Sequence, residues 1–308
     1  MESADAQRLN WLTLSLTPGL GSAGARRLLE VFGTPGRIFA ASGSELEEIS
    51  GLRASVRTAL LQKKAAAEAE QELARAEREE VAILTWDDPA FPDLLRRIHD
   101  PPLLLYVKGK AEWLAHPGIA VVGARAATSY GRQMAENFAF QLARKGLSVI
   151  SGFALGIDTA AHWGALRAPG GRTIGVLGSG LSVIYPSQNR KLFDKIAETG
   201  TLVSEYPLRT KPDGFRFPAR NRIISGLALG ILVVEAARQS GSLITARQAL
   251  EQGREVFAVP GRIDSWKSEG THRLLQEGAK LVFRVEDILE ELPAGILGPS
   301  AASAQRDG

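Results

Sequence analysis

The chain has 308 residues, enough for one large domain and a smaller one. Its 44% hydrophobic and 23% charged residues are ordinary for a globular protein, and the absence of cysteine excludes disulfides and thiolate metal sites. The four histidines lie far apart, which disfavours a zinc site, and a net charge of +3 indicates a nucleic-acid partner only weakly. The sequence has neither a signal-peptide core nor an apolar run of roughly 18 residues, so we expect a cytoplasmic protein without membrane contact.

Residues 1–78 are predicted to form a small all-helical domain. Residues 16–21 and 46–52 are two weak copies of one pattern, in which a glycine-containing turn precedes an amphipathic helix. Two helices joined by such a hairpin are typical of a helix-hairpin-helix, SAM-like unit, whose backbone amides approach a phosphate. A helical bundle that uses the same turn only for packing is the alternative that the sequence leaves open. The charged, alanine-rich residues 63–80 are expected to form a solvated connecting helix.

Residues 79–291 are predicted to form a second domain, in which short apolar runs alternate with amphipathic helices. This alternation predicts right-handed crossovers and a Rossmann-like, doubly wound, mostly parallel α/β sheet. Ligands of such sheets bind beyond the carboxyl ends of the strands. The Ala-, Gly-, Pro- and Ser-rich residues 292–308 are expected to be a flexible tail, with no winged-helix domain. The predicted strands are residues 81–85, 103–107, 119–122, 148–150, 173–177, 202–205, 231–234, 255–259 and 280–283.

Loops of small residues follow several of the predicted strands and lead into helices. The amides at such helix starts suit an anion, Arg125 is placed to clamp one, and Phe153 is expected to stack on a base. Neither a G-x-G-x-x-G fingerprint with its acidic partner nor a P-loop is present, so no cofactor is expected. The candidate binding residues in these loops are Arg125, Ser151, Gly152, Phe153, Ser240 and Gly241.

Residues 209–222 are the most basic stretch of the chain, and phenylalanines are interleaved with their cations. Single-stranded nucleic acid needs such a mixture, because cations bind phosphates and aromatic rings bind bases. The alternative is a solvated loop whose phenylalanines anchor it to the core. The candidate binding residues in this stretch are Lys211, Phe217, Arg220, Asn221 and Arg222.

Two other pairs of polar residues are weaker candidates for a site. Asp158 and His162 are spaced four apart on one predicted helix, as a metal or acid–base pair would be. With no third ligand in the sequence pattern, a hydrogen bond or helix cap is favoured, and no metal is expected. Glu205 and Glu235 each end a predicted strand, but the sequence does not fix their separation.

Five segments within residues 118–283 follow the order of one family's motifs. They are VVGARAATSYG (121–131), SGFALGIDTAAH (151–162), YPSQN (185–189), FPARNRII (217–224) and SGSLITARQALEQGREVFAVPG (240–261). In these segments the chain closely resembles the DNA-processing protein A (DprA/Smf) family, and the combination of FPARNRII with SGSLITA is highly specific. The helical N-terminal region also resembles the small helical domain of that family.

The resemblance implies a cytoplasmic, homodimeric mediator protein rather than an enzyme. Such a protein binds incoming single-stranded DNA in natural transformation and loads a RecA-type recombinase onto it. Two positions depart from the family pattern: Leu155 stands where arginine is usual, and Thr271-His272 replaces a common asparagine. The positions that the resemblance assigns to the DNA pocket are Arg125, Ser151, Gly152, Asn189, Arg190, Lys191, Arg220, Asn221 and Arg222.

Two other functions are weighed against DNA binding. Related Rossmann-like folds include phosphoribohydrolases that cleave nucleotides with a P-G-G-x-G-T loop and a glutamate. The PGG of residues 169–171 lacks the second glycine and precedes a strand, so this enzyme is the less favoured alternative. The third possible function is that of a protein-interaction scaffold, in which the cationic loops are incidental.

Overall fold

Six helices form the N-terminal part of the chain in the computed structural model, which describes residues 4–296. They enclose a hydrophobic core of their own, in which Leu14, Leu28 and Leu60 are buried. Ser42 and Glu45 form a reciprocal capping box that starts the fourth helix. These helices are α1 (Ala4–Leu16), α2 (Ser22–Phe32), α3 (Pro35–Ala40), α4 (Gly43–Glu47), α5 (Ala54–Leu61) and α6 (Ala66–Arg78).

The two predicted hairpins are both present, one before α2 and one before α5. Gly19 and Gly51 occupy equivalent positions in them, with φ angles of +77° and +76° that favour glycine. Each hairpin is bound by an arginine of the other unit, because Arg53 donates to the Gly19 carbonyl oxygen at 3.3 Å and Arg27 donates to that of Ser50. The hairpins therefore hold the two halves of the helical part together, as the packing alternative expects, and their role toward phosphate stays a prediction.

The helix α6 is not the solvated connector that the sequence predicts. Its Ala69, Glu72 and Ala76 are buried, and α6 packs along α1 and the edge of the sheet. The Glu72 carboxylate accepts a hydrogen bond from the backbone N–H of Leu208 at 2.6 Å and pairs with Arg75. The alanines allow a close approach, and one buried carboxylate fixes the helix to the α/β domain.

Nine strands form a single sheet, in the order β1-β2-β6-β5-β4-β3-β7-β8-β9. All neighbours from β6 to β9 along that order are parallel, whereas β2 is antiparallel to both β1 and β6. The doubly wound, mostly parallel sheet predicted from the sequence is thus confirmed. The strands are β1 (Ala82–Thr85), β2 (Leu104–Gly109), β3 (Gly118–Val122), β4 (Ser148–Ser151), β5 (Arg172–Val176), β6 (Thr201–Ser204), β7 (Gly230–Val233), β8 (Glu255–Ala258) and β9 (Lys280–Leu281).

Alternate residues of the central strands enter two separate cores. Ala120 and Val122 of β3 join one core, and Ile119 and Val121 of the same strand join the other. The first core is covered by α7, α11, α12 and α13, and the second by α8, α9 and α14. These helices are α7 (Asp93–Arg96), α8 (Ser129–Arg144), α9 (Ile157–Arg167), α10 (Arg190–Thr199), α11 (Arg216–Leu227), α12 (Gly241–Glu251), α13 (Glu269–Gln276) and α14 (Glu286–Leu289). Short 3₁₀ turns span Ala111–Ala115, Ser187–Asn189 and Trp266–Ser268.

The predicted tail from residue 292 begins in contact with the sheet, since Leu292 and Ile296 pack against the second core. The rest of that prediction, residues 297–308, lies outside the described residues. Within residues 4–296, no helix combines the length and the apolar character needed to cross a membrane.

The chain order reverses between β3 and β7, which are neighbours in the sheet although three strands separate them in sequence. Beyond the carboxyl ends of such a pair the loops diverge and leave a crevice, where ligands of doubly wound sheets bind. Gly156 (φ +82°) makes a close approach possible there, because a Cβ on it would lie 2.3 Å from the carbonyl oxygen of Ala124. The loops after β3 and β4 therefore pack against each other at this edge.

Candidate nucleic-acid interface

A cleft of about 870 Å³ opens at the carboxyl edge of the sheet, at the point where the chain order reverses. Its walls come from the loop after β3, the N-terminal turns of α11 and α12, and the turn that contains Trp266. Among its lining residues, the exposed or partly exposed cations Arg125, Arg238 and Lys267 face a single exposed carboxylate, Glu269. The cleft therefore favours a polyanionic ligand.

Arg125 lies at one wall of the cleft, stacked on an aromatic pair. Its guanidinium carbon is 5.2 Å from the centre of the Phe217 ring, and that ring is 5.6 Å from the ring of Tyr185. Arg125 and Tyr185 are both exposed, whereas Phe217 is partly buried between them. The stacking fixes the guanidinium in place while its N–H groups stay available to a phosphate.

Arg220 lies under the cleft rather than in solvent, and only 4% of it is exposed. Its guanidinium donates to the backbone carbonyl oxygens of Gly152 and Val176 and to the side-chain oxygen of Asn221. Burial lowers the pKa of Arg220 to about 10, against the opposing attraction of Asp158, so the charge persists at neutral pH. Arg220 therefore ties the ends of β4 and β5 to α11. Arg125, Gly152 and Arg220 line one small pocket beside the cleft, so the structure brings these three predicted residues together.

Asp158 and His162 do not form the acid–base pair that their spacing suggested. The Asp158 carboxylate accepts the backbone N–H of Ala154 at 3.3 Å and lies beside Arg220, and burial raises its pKa against the effect of that arginine. The His162 imidazole lies 2.7 Å from the Thr173 hydroxyl, and burial lowers the pKa of His162 to about 3. The favoured interpretation, hydrogen bonding within the protein, agrees with these contacts. Within residues 4–296, no three His, Asp or Glu side chains are grouped as metal ligands would be.

At the helix starts after β3 and β4, carboxylates of the protein itself accept hydrogen bonds from backbone N–H groups. Glu235, which is 5% exposed, accepts the N–H of Thr128 at 3.1 Å and its hydroxyl at 2.8 Å, at the first turn of α8. Asp158 does the same for the loop that leads into α9. The backbone amides of Thr128 and Ala154, which the expectation of phosphate binding at these helix starts includes, are therefore bound by carboxylates of the protein. Cationic side chains are left to bind an anion in this part of the cleft.

Phe153 is buried, contrary to the expectation that it stacks on a base. Its ring packs edge-on against Phe193, with 6.1 Å between ring centres, and only 1% of the residue is exposed. Its backbone has a positive φ of +59°, and the buried Asn189 amide holds it by donating to the Phe153 carbonyl oxygen at 3.1 Å. Phe153 and Asn189 therefore shape the loop after β4 rather than presenting groups to solvent.

Two further predicted residues make internal contacts. The Ser151 hydroxyl is buried and donates to the Val121 carbonyl oxygen at 2.7 Å. Arg222 is paired with Glu205 at 2.6 Å and Asp100 at 3.2 Å. Burial disfavours the charge of Arg222, but the two carboxylates outweigh this effect and raise its pKa. Its guanidinium therefore links the residues after β6 to the segment before β2, and Arg222 is not among the residues that line the cleft.

The remaining predicted residues fall into two groups. Ser240, Gly241 and Asn221 line the cleft, and Ser240 caps α12 by accepting the Ser242 N–H. Arg190, Lys191 and Lys211 are exposed but are not among the residues that line the cleft.

Three cationic or aromatic residues of the cleft lining, Arg238, Trp266 and Lys267, are not among the residues predicted from the sequence, and neither is Tyr185 of the small pocket beside it. Arg238 lies in the loop after β7, which also contains the predicted Ser240 and Gly241. Trp266 and Lys267 are an aromatic residue beside a cation, which is the combination used to select residues 209–222. Tyr185 lies in the YPSQN segment, but only the contact with Phe217 shows its position.

The doubly wound α/β sheet, with a cationic, aromatic-lined cleft at its carboxyl edge, places the chain among the Rossmann-like proteins. Its sequence matches the family described as DNA recombination-mediator protein A over residues 82–293. The chain belongs to this family, as the motifs of its sequence indicated.

Relatives and solved structures agree with this assignment. DNA processing protein DprA of Bacillus subtilis is 48% identical over 204 residues, covering 66% of this chain and 68% of that protein. Protein Smf of Synechocystis is 37% identical over 295 residues, covering 94% of this chain and 74% of that protein. The X-ray structure of DNA processing protein A from Streptococcus pneumoniae aligns with a TM-score of 0.83 and 38% identity, covering 92% of this chain and 98% of that one.

A second structure comes from Helicobacter pylori, and its description concerns the single-stranded DNA binding mode of DNA processing protein A. It aligns with a TM-score of 0.60 and 33% identity, covering 65% of this chain and 91% of that one. The fold predicted from the sequence, including its helical N-terminal part, is confirmed by these alignments.

Proposed function

We propose that this protein binds single-stranded DNA in the cleft at the carboxyl edge of its sheet and acts as a mediator rather than as an enzyme. The observation that carries the proposal is the exposed Arg125 guanidinium, stacked on Phe217 at the wall of a cleft that also contains Arg238 and Lys267. Cations bind the phosphates of any sequence, and aromatic faces bind any base. The single-stranded DNA described for the Helicobacter pylori relative supports the same ligand here.

The finer parts of the proposal follow from the family. The protein loads a RecA-type recombinase onto the bound strand, in natural transformation and recombination, and does so as a homodimer in the cytoplasm. The family's description as a recombination mediator supports the recombinase as a partner. The phosphoribohydrolase alternative is disfavoured, because Glu235 is engaged in capping α8 and the PGG turn precedes β5.

We propose that fewer residues contact DNA in the cleft than the sequence predicts. Arg125, Phe217, Asn221, Ser240 and Gly241 line the cleft and are proposed to touch DNA. Arg190, Lys191 and Lys211 are proposed to guide the strand outside it. Ser151, Gly152, Phe153, Asn189, Arg220 and Arg222 are proposed to hold the loops in shape.

The test compares two arginines that have similar surroundings at opposite edges of the sheet. Arg125 lies over Phe217, and Arg144, at the far end of α8, lies over Phe140 with 6.0 Å to the ring centre. Arg125→Ala should weaken binding of a fluorescently labelled single strand about tenfold in anisotropy titrations, since a charge-assisted contact to phosphate is lost. Arg144→Ala should bind as the wild type does. Equal affinities of both variants would contradict the proposed site.

A further inference from the structure

We infer that Trp266 is a second base-stacking platform in the cleft that Arg125 and Phe217 also line, and that this ring and the Arg125–Phe217–Tyr185 stack together select single-stranded over double-stranded DNA. This inference rests on the proposed function, because it names how the same cleft distinguishes its ligand. Trp266 lines the cleft together with Phe217, and 63% of it is exposed. A large exposed aromatic residue in a cationic cleft has the character of a stacking surface.

Trp266 is held firmly although its side chain is exposed. It begins a 3₁₀ turn that ends at the buried Ser268, whose N–H donates to the Ser265 carbonyl oxygen at 2.9 Å. Gly261 packs against this turn, since a Cβ on it would lie 2.0 Å from the Ser268 hydroxyl oxygen. The backbone beneath Trp266 is therefore fixed before any ligand arrives, which lowers the entropic cost of stacking a base on it.

Lys267 connects this turn to the wall that carries Arg125. Its ammonium nitrogen lies 5.5 Å from the centre of the Trp266 ring and donates to the Ala126 carbonyl oxygen at 2.6 Å. Trp266 is thus the neighbour of a cation, as Phe217 is of Arg125. The cleft lining therefore contains two neighbouring pairs of an aromatic ring and a cation, Trp266 with Lys267 and Phe217 with Arg125.

Two such pairs of a ring and a cation suit a single strand rather than a duplex. A base can stack on a protein ring only where its own face is free, and the bases of a duplex cover each other's faces. The cleft has a volume of about 870 Å³, and the exposed Ile244 adds an apolar surface to its lining. A flexible strand can therefore place separate bases on Trp266 and on the Phe217–Tyr185 stack, which paired bases cannot.

The experiment uses the intrinsic fluorescence of the full chain. Trp266 is the most exposed of the five tryptophans, and Trp163, which is 38% exposed on α9, does not line the cleft. Unlabelled oligothymidylate should quench the fluorescence of the wild type and of Trp163→Phe, whereas Trp266→Phe should lose most of the quenching and keep its affinity within about twofold. Trp266→Ala should weaken binding of the single strand about tenfold, in line with the effect of removing one stacking ring, and leave duplex binding unchanged.

The outcomes separate this inference from the proposed function. If Trp266→Ala binds as tightly as the wild type while Arg125→Ala does not, the second platform is wrong and the DNA site stands. Quenching that persists in Trp266→Phe also overturns the platform. If Trp266→Ala changes only the oligomeric state, measured by light scattering, the ring belongs to a contact between copies and the inference fails. Failure of the wild type to bind any single strand overturns both.

Discussion

Arg220 shows how a charged residue in a binding motif acts from inside the fold. Its guanidinium binds the carbonyl oxygens at the ends of β4 and β5, lies beside the buried Asp158, and is 4% exposed. A charge in this position cannot reach a phosphate without rearrangement of the loops around it. It supports the exposed Arg125 instead, by fixing the loops on which the cleft is built.

Replacing Arg220 should therefore change stability before it changes affinity. Arg220→Ala leaves the carbonyl oxygens of Gly152 and Val176 without their donor and removes the positive charge beside the buried Asp158, which costs about 1–3 kcal/mol of the free energy of unfolding. Urea unfolding monitored by circular dichroism measures this loss. Arg247→Ala, an exposed arginine of α12, is the control and should change the unfolding free energy by less than about 0.5 kcal/mol. An Arg220→Ala variant with wild-type stability would contradict this structural role of Arg220.

His162 gives the protein a pH dependence of a definite sign. Thr173 donates its hydroxyl proton to the Val149 carbonyl oxygen, so the His162 Nδ1–H is the donor to Thr173 and the buried imidazole is neutral. Burial lowers the pKa of His162 from 6.5 to about 3. Below pH 6.5 the unfolded chain therefore takes up a proton that the folded chain refuses, and stability is lost as the pH falls from 6.5 toward 3.

His162 lowers the free energy of unfolding by up to about 1.4 kcal/mol for each unit by which the pH falls. His162→Gln keeps a hydrogen-bonding side chain but cannot titrate. Chemical unfolding of both proteins between pH 7 and pH 4 should show a shallower decline for the variant. Parallel curves would mean that His162 is protonated in the folded protein.

Which residues share the edge of the sheet can be predicted from the sequence, but their exposure cannot. Arg125 and Gly152 follow parallel strands, so they must lie at one edge, and the structure places them there with Arg220. Exposure depends on neighbours that are distant in sequence: Phe193 covers Phe153, and Glu235 closes the first turn of α8. Such contacts leave no local pattern, so the sequence analysis assigned Phe153 and Arg220 to DNA contact.

At the scale of secondary structure, α6 differs most from its predicted role. Its composition is that of a solvated helix, and its charged residues are mostly exposed. The exception is Glu72, which takes the Leu208 N–H and lies 3% exposed beneath the loop that follows β6. The Glu72 carboxylate thus adds a buried hydrogen bond to the apolar packing of Ala69 and Ala76, which attaches this helix to the α/β part.

Glu72→Ala should loosen the attachment of the helical part. The Leu208 N–H then loses its partner in a buried position, which costs about 1–3 kcal/mol. Brief trypsin digestion should cut the exposed Lys63-Lys64 segment faster in this variant than in the wild type. Glu70→Ala, an exposed glutamate of the same helix, should be cut at the wild-type rate. Equal rates of tryptic cleavage in the two variants would contradict this role of Glu72.

At the scale of the whole molecule, all nine predicted strands occur in the sheet, because buried parallel strands leave apolar runs that the sequence shows directly. The order of the strands in the sheet, in contrast, cannot be predicted from such local patterns. It depends on which side of β3 each crossover falls, and on the antiparallel pairing of β2 with β6 across more than ninety residues. No local pattern encodes that pairing, although it attaches β2 and β1 to the parallel strands, next to the helical part.

The central claim is that cationic side chains of the cleft neutralise the phosphates of a single DNA strand. The slope of the logarithm of the binding constant against the logarithm of the salt concentration measures the number of phosphates neutralised, at about 0.7 for each contact with a single strand. We predict a steep negative slope for the wild type, the same slope for Arg144→Ala, and a slope smaller by about 0.7 for Arg125→Ala. Binding that does not depend on salt, or an unchanged slope in Arg125→Ala, would contradict the account.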